Sequence, residues 1–196
     1  KFGAKFSRDD FTIFGMDISP QMLAVAKSRA FRNFHVLRGD VRRFYLAKKF
    51  DFIFCVHDTL NYLLDISDLK RAFACVREVM HDESVFLFDL TTEYNILRFF
   101  DRQAKKYRYR GLEVHWSNDY NPASKLISSE LSVKRRDGSV ARETHVQRIY
   151  ETEEILPVLD ECGFEVYNVF SDYTHFPPDE KTVMKNFVVK LRRGGL

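Results

Sequence analysis

The first half of the chain alternates short apolar runs with amphipathic stretches. Residues 11–18 (FTIFGMDI) form a β-rich run that ends on an acid. Ser19 then suits a helix N-cap and Pro20 the first helical position. From there Met22, Leu23, Ala26 and Ala30 recur at helical spacing. Residues 34–37 read as a second short strand, stopped at Gly39-Asp40. Residues 50–56 (FDFIFCV) are nearly all apolar, the pattern of a strand buried on both faces of a parallel sheet. A helix follows, with Asp65 or Ser67 as its cap and Leu69, Ala72, Phe73, Val76 and Val79 on its inner face. Residues 84–90 (SVFLFDL) give another buried strand. Strand, helix and strand joined by short links predict parallel strands with right-handed crossovers, an α/β sandwich.

The middle of the chain has a period of two. Residues 112–120 alternate, with Leu112, Val114, Trp116 and Tyr120 on one face. Residues 126–134 are a second such run, Asp137-Gly138 is a hairpin turn signal, and residues 142–150 are a third. About three antiparallel strands are expected here, a small sheet inserted into the α/β fold. Helix then returns, with Thr152 as N-cap, Glu153 and Glu154 at the positive end of its dipole, and Gly163 as its stop. Pro157 falls late enough in this helix to perturb it. Strands over residues 164–170 and 183–191 close the fold, linked through Pro177-Pro178, and residues 192–196 are expected to fray.

Composition narrows the class without changing this picture. Hydrophobic residues are 45% and charged residues 30% of the 196, the balance of a globular protein. No apolar run approaches the ~20 residues that cross a bilayer, and residues 1–10 are too polar for a signal peptide. A net charge of +3 demands no broad basic surface. The basic clusters Arg42-Arg43, residues 105–110 and residues 134–136 read as solvated charge, so a nucleic-acid partner is not expected. Cys55, Cys75 and Cys162 are odd in number and lack metal-ligand spacing, so free buried thiols in a reducing cytoplasm are expected, with no metal.

Four strings carry a family resemblance. GMDISPQMLAVAKSRA (residues 15–30) resembles the second-strand motif of class I S-adenosylmethionine-dependent methyltransferases. LRGDVRRF (residues 37–44) is similar to the motif ending the third strand of that family. FDFIFCVHDTLNYL (residues 50–63) resembles the fourth-strand motif of a small-molecule-type subgroup, and ETHVQRIY (residues 143–150) with ECGF (residues 161–164) fits the same subgroup. The strings run in order over nearly the whole chain. The family places a strand and a glycine-rich loop, D-x-G-x-G-x-G, before the second strand, whereas this chain begins KFGAKFSRDD, similar to the helix after that loop. The resemblance therefore implies that roughly forty to fifty family residues lie outside the chain, a βαβ unit of ~30 residues accounting for much of them.

The resemblance implies a Rossmann-like, mostly parallel sheet with helices on both faces. Residues 1–100 and 151–196 would form the cofactor-binding domain and residues 101–150 an inserted substrate-cover sheet. It implies S-adenosyl-L-methionine as cofactor. A carboxylate at the C-terminal end of a parallel strand can accept both ribose hydroxyls, and Asp17 fits that role. Ile18 and Met22 would pack on the adenine face. Asp40 after Gly39, with the Val41 N–H beside it, matches the donor and acceptor of the adenine edge. His57 and Asp58 would offer carbonyls to the methionine amine. His57 and Tyr62 are the catalytic candidates, since a histidine titrates near neutrality and an aromatic face attracts a cation. Asn61, Tyr62, Trp116, His145, Arg148 and Tyr150 are the acceptor-binding candidates, with Thr59, Tyr94 and Tyr173 nearby in kind. On a strand, Arg148 and Tyr150 share one face while Glu143, His145 and Gln147 share the other, so both sets cannot face a pocket.

Plainer alternatives stand beside each assignment. Asp17 can serve only the next N-cap, Asp40 can close an Asx turn, Ile18 and Met22 can be core, and His57 can merely shape its loop. The expected reaction is in-line methyl transfer to a small molecule, in which positioning matters more than any one base. The rivals are a non-catalytic binding module and a nicotinamide-dependent oxidoreductase, which shares an acid at a second strand end. A base-methylating enzyme is disfavoured by HDTLNY where an N-P-P-Y-type motif would stand.

Overall fold

The computed structural model describes residues 11–29 and 32–193. The helix expected in residues 1–10, Ala30 on the next helix and the last three residues lie outside them. The chain divides into two compact units, Lys1–Ala47 and Lys48–Leu196.

In the first unit β1 (Ile13–Asp17) and β2 (Phe34–Arg38) pair in parallel, with Ile13 opposite Phe34 and Asp17 opposite Arg38. The crossover between them is α1 (Pro20–Lys27). It starts where the sequence places it: Ser19 Oγ accepts the Met22 N–H at 3.3 Å, and proline fills a position whose N–H has no helical partner. Gly15 is required by close packing, since a Cβ there would sit 2.8 Å from the Phe34 ring.

The second unit holds two four-stranded sheets. The first, in the order β3 (Phe50–Cys55), β4 (Met80–Thr91), β10 (Met184–Leu191), β9 (Phe164–Ser171), pairs β3 and β4 in parallel and runs β10 against both its neighbours. β3, β4 and β9 therefore end at one edge. α2 (Ile66–Glu78) and α4 (Thr152–Glu161) pack together. On α2 the predicted inner face is buried, with Leu69, Ala72 and Phe73 at 0% exposure. Phe73 lies 5.4 Å from Phe88 and 6.1 Å from Phe164, and Phe88 stacks on its cross-strand neighbour Phe187 at 4.9 Å. These interlocked rings are the core of the unit.

The expectation that the FDFIFCV strand is buried on both faces is corrected. Phe52 and Phe54 are 61% and 43% exposed, because no described helix covers that face of β3. The three cysteines are free as expected but half-buried rather than buried. Burial, with the Asp89 charge adding to it, nevertheless pushes the Cys55 thiol up to about 12.

The second sheet is a meander of β5 (Ala104–Tyr109), β6 (Leu112–Asn121), β7 (Leu126–Lys134) and β8 (Val140–Arg148). It has four strands, not three. β5 reads AKKYRY and is exposed throughout, so no apolar alternation marks it. β8 also starts and ends earlier than expected, which leaves Tyr150 beyond the strand. The Asp137-Gly138 turn forms, with Gly138 at φ 85° and the Asp137 carboxylate accepting the Ser139 N–H at 2.9 Å. α3 (Glu93–Phe99) docks on this sheet through Ile96, which clusters with Tyr120, Ile127 and Ile149.

α4 tolerates Pro157 and is capped by Glu151, one residue before the expected Thr152: Glu151 and Glu154 form a reciprocal capping box. Gly163 ends it at φ 80°. Arg192, expected to fray, is held by its N–H on the Gly163 carbonyl at 2.9 Å and by an ion pair with Asp160.

Candidate active site

In the first unit the two candidate acids sit side by side. Asp17 ends β1, and Gly39-Asp40 follows β2 directly, so both carboxylates leave the same C-terminal edge of adjacent parallel strands. The Gly39 N–H donates to the Asp17 carbonyl at 3.1 Å and ties the two strand ends together. Gly39 permits this approach, because a Cβ there would strike the Met16 side chain. The Asp17 Oδ1 caps the next turn by accepting the Ser19 N–H at 2.8 Å. Gly15, Met16, Asp17, Met22, Leu23, Ala26 and Val36 line a hollow of about 130 Å³. Ile18 and Met22 are 60% and 58% exposed.

The Asp40 carboxylate closes an Asx turn on the Arg42 N–H at 3.0 Å and is clasped by the Arg42 guanidinium, with NH2 to Oδ2 at 2.7 Å. The guanidinium bonds hold its carboxyl down to about 2. The turn alternative is thus real, and it also fixes the carboxylate as an anion next to the Val41 N–H.

In the second unit the chain leaves β3 through two successive left-handed residues, His57 at φ 63° and Asp58 at φ 49°. Such conformations cost on the order of 1 kcal/mol or more per non-glycine residue and persist only where surroundings enforce them. The enforcing group is Asp89, fully buried near the end of β4, which accepts the His57 N–H at 2.7 Å and the Asp58 N–H at 2.6 Å. Sequence reasoning missed Asp89. Its one signal is an acid inside the apolar string LFDL. A short 3-10 turn, Thr59–Tyr62, follows. Its Asn61, also fully buried, donates to the Arg148 carbonyl at 2.7 Å and accepts the Thr91 N–H at 3.1 Å.

β8 lies against this turn and shows which of its two faces meets it. Gln147 Nε2 donates to the Asp58 carboxylate at 2.8 Å, and His145 Nδ1 lies 3.4 Å from the Tyr62 hydroxyl. Arg148 and Tyr150 turn the other way. The Arg148 guanidinium bonds the Leu64 carbonyl at 3.2 Å and Glu154 at 2.7 Å, while the Tyr150 hydroxyl donates to the Leu63 carbonyl. Tyr150 is only 3% exposed, and its hydroxyl, like the two terminal Arg148 nitrogens, is already occupied by the fold, while the buried Arg148 Nε has no hydrogen-bond partner among the described residues. Trp116 lies elsewhere on the sheet, against Phe100 at 6.0 Å, and Tyr94 packs on Phe99. The structure therefore joins Asp58, Asn61, Tyr62, His145 and Gln147, and leaves Trp116 and Tyr94 apart from them.

The sequence profile of a family described as a methyltransferase domain matches residues 2–83. A provisionally named methyltransferase of Geobacillus sp. (strain WCH70) is 25% identical over 197 residues, 97% of this chain and 80% of that protein. The crystal structure of an S-adenosylmethionine-dependent methyltransferase from Clostridium acetobutylicum ATCC 824 superposes with a TM-score of 0.81 at 26% identity, over 92% of this chain and 75% of that one. In all three comparisons the chain is similar to methyltransferases, and in the 26%-identical structure to one dependent on S-adenosylmethionine. The same fold is shared by a SAM-bound amino pentose methyltransferase from Micromonospora echinaspora, with a TM-score of 0.68 at 18% identity over 96% and 80% of the two chains.

For a methyltransferase the electrostatics of the β3 loop are informative. Burial pushes the Asp58 carboxyl up and the Asp89 charge adds to this, against the lowering effect of the Gln147 amide. Burial likewise raises the Tyr62 hydroxyl, with Asp58 contributing. The loop of this methyltransferase is thus lined by acceptors, while Arg148, the strong cation of this neighbourhood, is paired with Glu154. No helix among the described residues is long and apolar enough to cross a membrane.

Proposed function

We propose that this methyltransferase moves the methyl group of S-adenosylmethionine to a small-molecule acceptor, with Asp17 and Asp40 as the ligands of the adenosine. The supporting observation is the placement of those two carboxylates on neighbouring parallel strand ends, tied by the 3.1 Å bond from Gly39 to Asp17. This is the sheet edge at which α/β folds bind ligands. The residues fit a nucleoside: besides the oxygen that caps Ser19, Asp17 keeps a second acceptor oxygen for a diol. Asp40 is held ionised as an acceptor for an amine, and Ile18 and Met22 stand open as apolar cover. Asp17, Ile18, Met22, Gly39, Asp40 and Val41 form the nucleoside set. His57 and Asp58 are the methionine-amine set, and Asn61, Tyr62 and His145 the acceptor set, with Asn61 acting by fixing the turn.

When bound, the cofactor supplies a methyl already activated on a sulfonium. The protein need only orient the nucleophile and exclude water. Acceptor oxygens on Asp58 and Tyr62 favour a cationic neighbour. The His145 imidazole, 3.5 Å from Glu143 on one side and 3.4 Å from the Tyr62 hydroxyl on the other, is placed to take a proton passed through that hydroxyl. Residues 1–100 and 151–196 act as the cofactor-binding domain and residues 101–150 as the acceptor cover. The amino pentose methyltransferase that shares the fold supports a small acceptor.

Equilibrium titration of the protein with S-adenosylmethionine and, separately, with NAD tests this reading. Saturable binding of S-adenosylmethionine, weakened about tenfold or more by Asp17→Ala, is the expected result. Tighter binding of NAD, or indifference to Asp17→Ala, would overturn it.

A further inference from the structure

The loop after β3 is one of two left-handed turns in the second unit that rest on a single buried pair. The other is Asp172-Tyr173, at φ 52° and 57°, just after β9. Asp89 and Asn186 face each other across β4 and β10 and are 0% and 2% exposed. Asp89 accepts the His57 and Asp58 N–H groups, one on each oxygen, and also the Tyr173 hydroxyl. The Asn186 Oδ1 accepts the Tyr173 N–H at 2.6 Å. Two chain segments more than a hundred residues apart are thereby fastened to one point, at the edge where β3, β4 and β9 all end. Within the pair it is the Asp89 carboxylate that is committed on both oxygens, whereas the buried Asn186 Nδ2 has no hydrogen-bond partner among the described residues. A buried carboxylate is tolerated only with several strong donors, and among the described residues these are two backbone amides and a phenol rather than a cation. The Tyr173 hydroxyl is pushed above its ordinary value by burial and by this bond, so it stays a donor.

A purely structural requirement would be met by an apolar residue at position 89, which is itself fully buried. An acid there stabilises something the strand itself does not need, namely the two strained turns. We propose that Asp89 is a positioning residue for methyl transfer: it locks His57 and Asp58 in left-handed conformation, so that the Asp58 carboxylate and the Thr59–Tyr62 turn are presented in one fixed orientation. Tyr173 fastens the second turn to the same carboxylate. This rests on the reading of His57, Asp58 and Tyr62 as part of the methyl-transfer site.

The test compares wild type, Asp89→Asn, Tyr173→Phe and Asp17→Ala, with S-adenosylhomocysteine affinity by calorimetry and the amide resonances of His57 and Asp58 by NMR. In wild type both amide protons are expected downfield, as donors to a carboxylate. Asp89→Asn offers an amide N–H₂ where one of those donors needs an acceptor. The expected result is an upfield shift of at least one resonance and about tenfold weaker affinity, in a protein that still melts cooperatively. Asp17→Ala is expected to weaken binding without moving either resonance. Should Asp89→Asn fail to fold, Tyr173→Phe decides, with a resonance shift and about threefold weaker affinity expected. Wild-type affinity and unmoved resonances in whichever of these two variants decides would overturn the positioning role alone. Failure of the wild type to bind S-adenosylhomocysteine at all would overturn the methyl-transfer reading, and this proposal with it.

Discussion

Substituting Asp40→Asn removes a charge whose energetic role is visible without any ligand. The carboxyl is held at about 2 against a free value of 3.8 by the Arg42 clasp. A folded value below the unfolded one means that stability is fully present above the unfolded value and is lost as pH falls toward the folded one. The full linkage for this shift is about 2 kcal/mol at neutral pH. Arg42 is 40% exposed, so solvent screening reduces the expected contribution to about 1 kcal/mol. About half of it should remain near pH 3, and little near pH 2. Urea denaturation of wild type and Asp40→Asn at a series of pH values reads this directly. The wild type should be more stable near neutrality, and the gap should close between the two carboxyl values. A gap that is constant with pH, or one that widens on acidification, would refute the assignment of a charged Asp40–Arg42 pair.

Two further substitutions probe the packing behind the candidate site. Phe73→Ala should destabilise the protein by about 3–5 kcal/mol, because the ring is fully buried among Phe86, Phe88 and Phe164; chemical denaturation checks it. Asn61→Ala should cost about 3 kcal/mol by leaving the Thr91 N–H and the Arg148 carbonyl unpaired, and should speed amide exchange at Thr91.

What could be read in the sequence followed from local physics. Ser19-Pro20, the 3.6-residue stripe of α2 and the Asp137-Gly138 turn each encode their structure within a few neighbouring residues, and each formed where expected. The strand-end placement of Asp17 and Asp40 was legible because an acid before a capped helix and a Gly-Asp turn after a short strand are both local patterns. β5 was not, because an edge strand carrying lysines, arginines and tyrosines has no buried face to impose alternation, and charges on an edge guard it against pairing with another chain. Asp89 and Asn61 were out of reach for a different reason. Their partners lie 30 to 87 residues away, so the role of each depends on tertiary register that no local window contains. Arg148 and Tyr150 were assigned one strand face, but β8 ends at Arg148 and the two side chains turn to the Leu63-Leu64 carbonyls and Glu154 instead.

The most direct measurement is a crystal structure of the protein with S-adenosylhomocysteine. The ribose hydroxyls should lie on the Asp17 carboxylate, with the adenine amine at Asp40 and its ring nitrogen at the Val41 N–H. A nucleoside bound away from the ends of β1 and β2, with the two acids engaged only by Ser19, Arg42 and Arg43, would contradict the account.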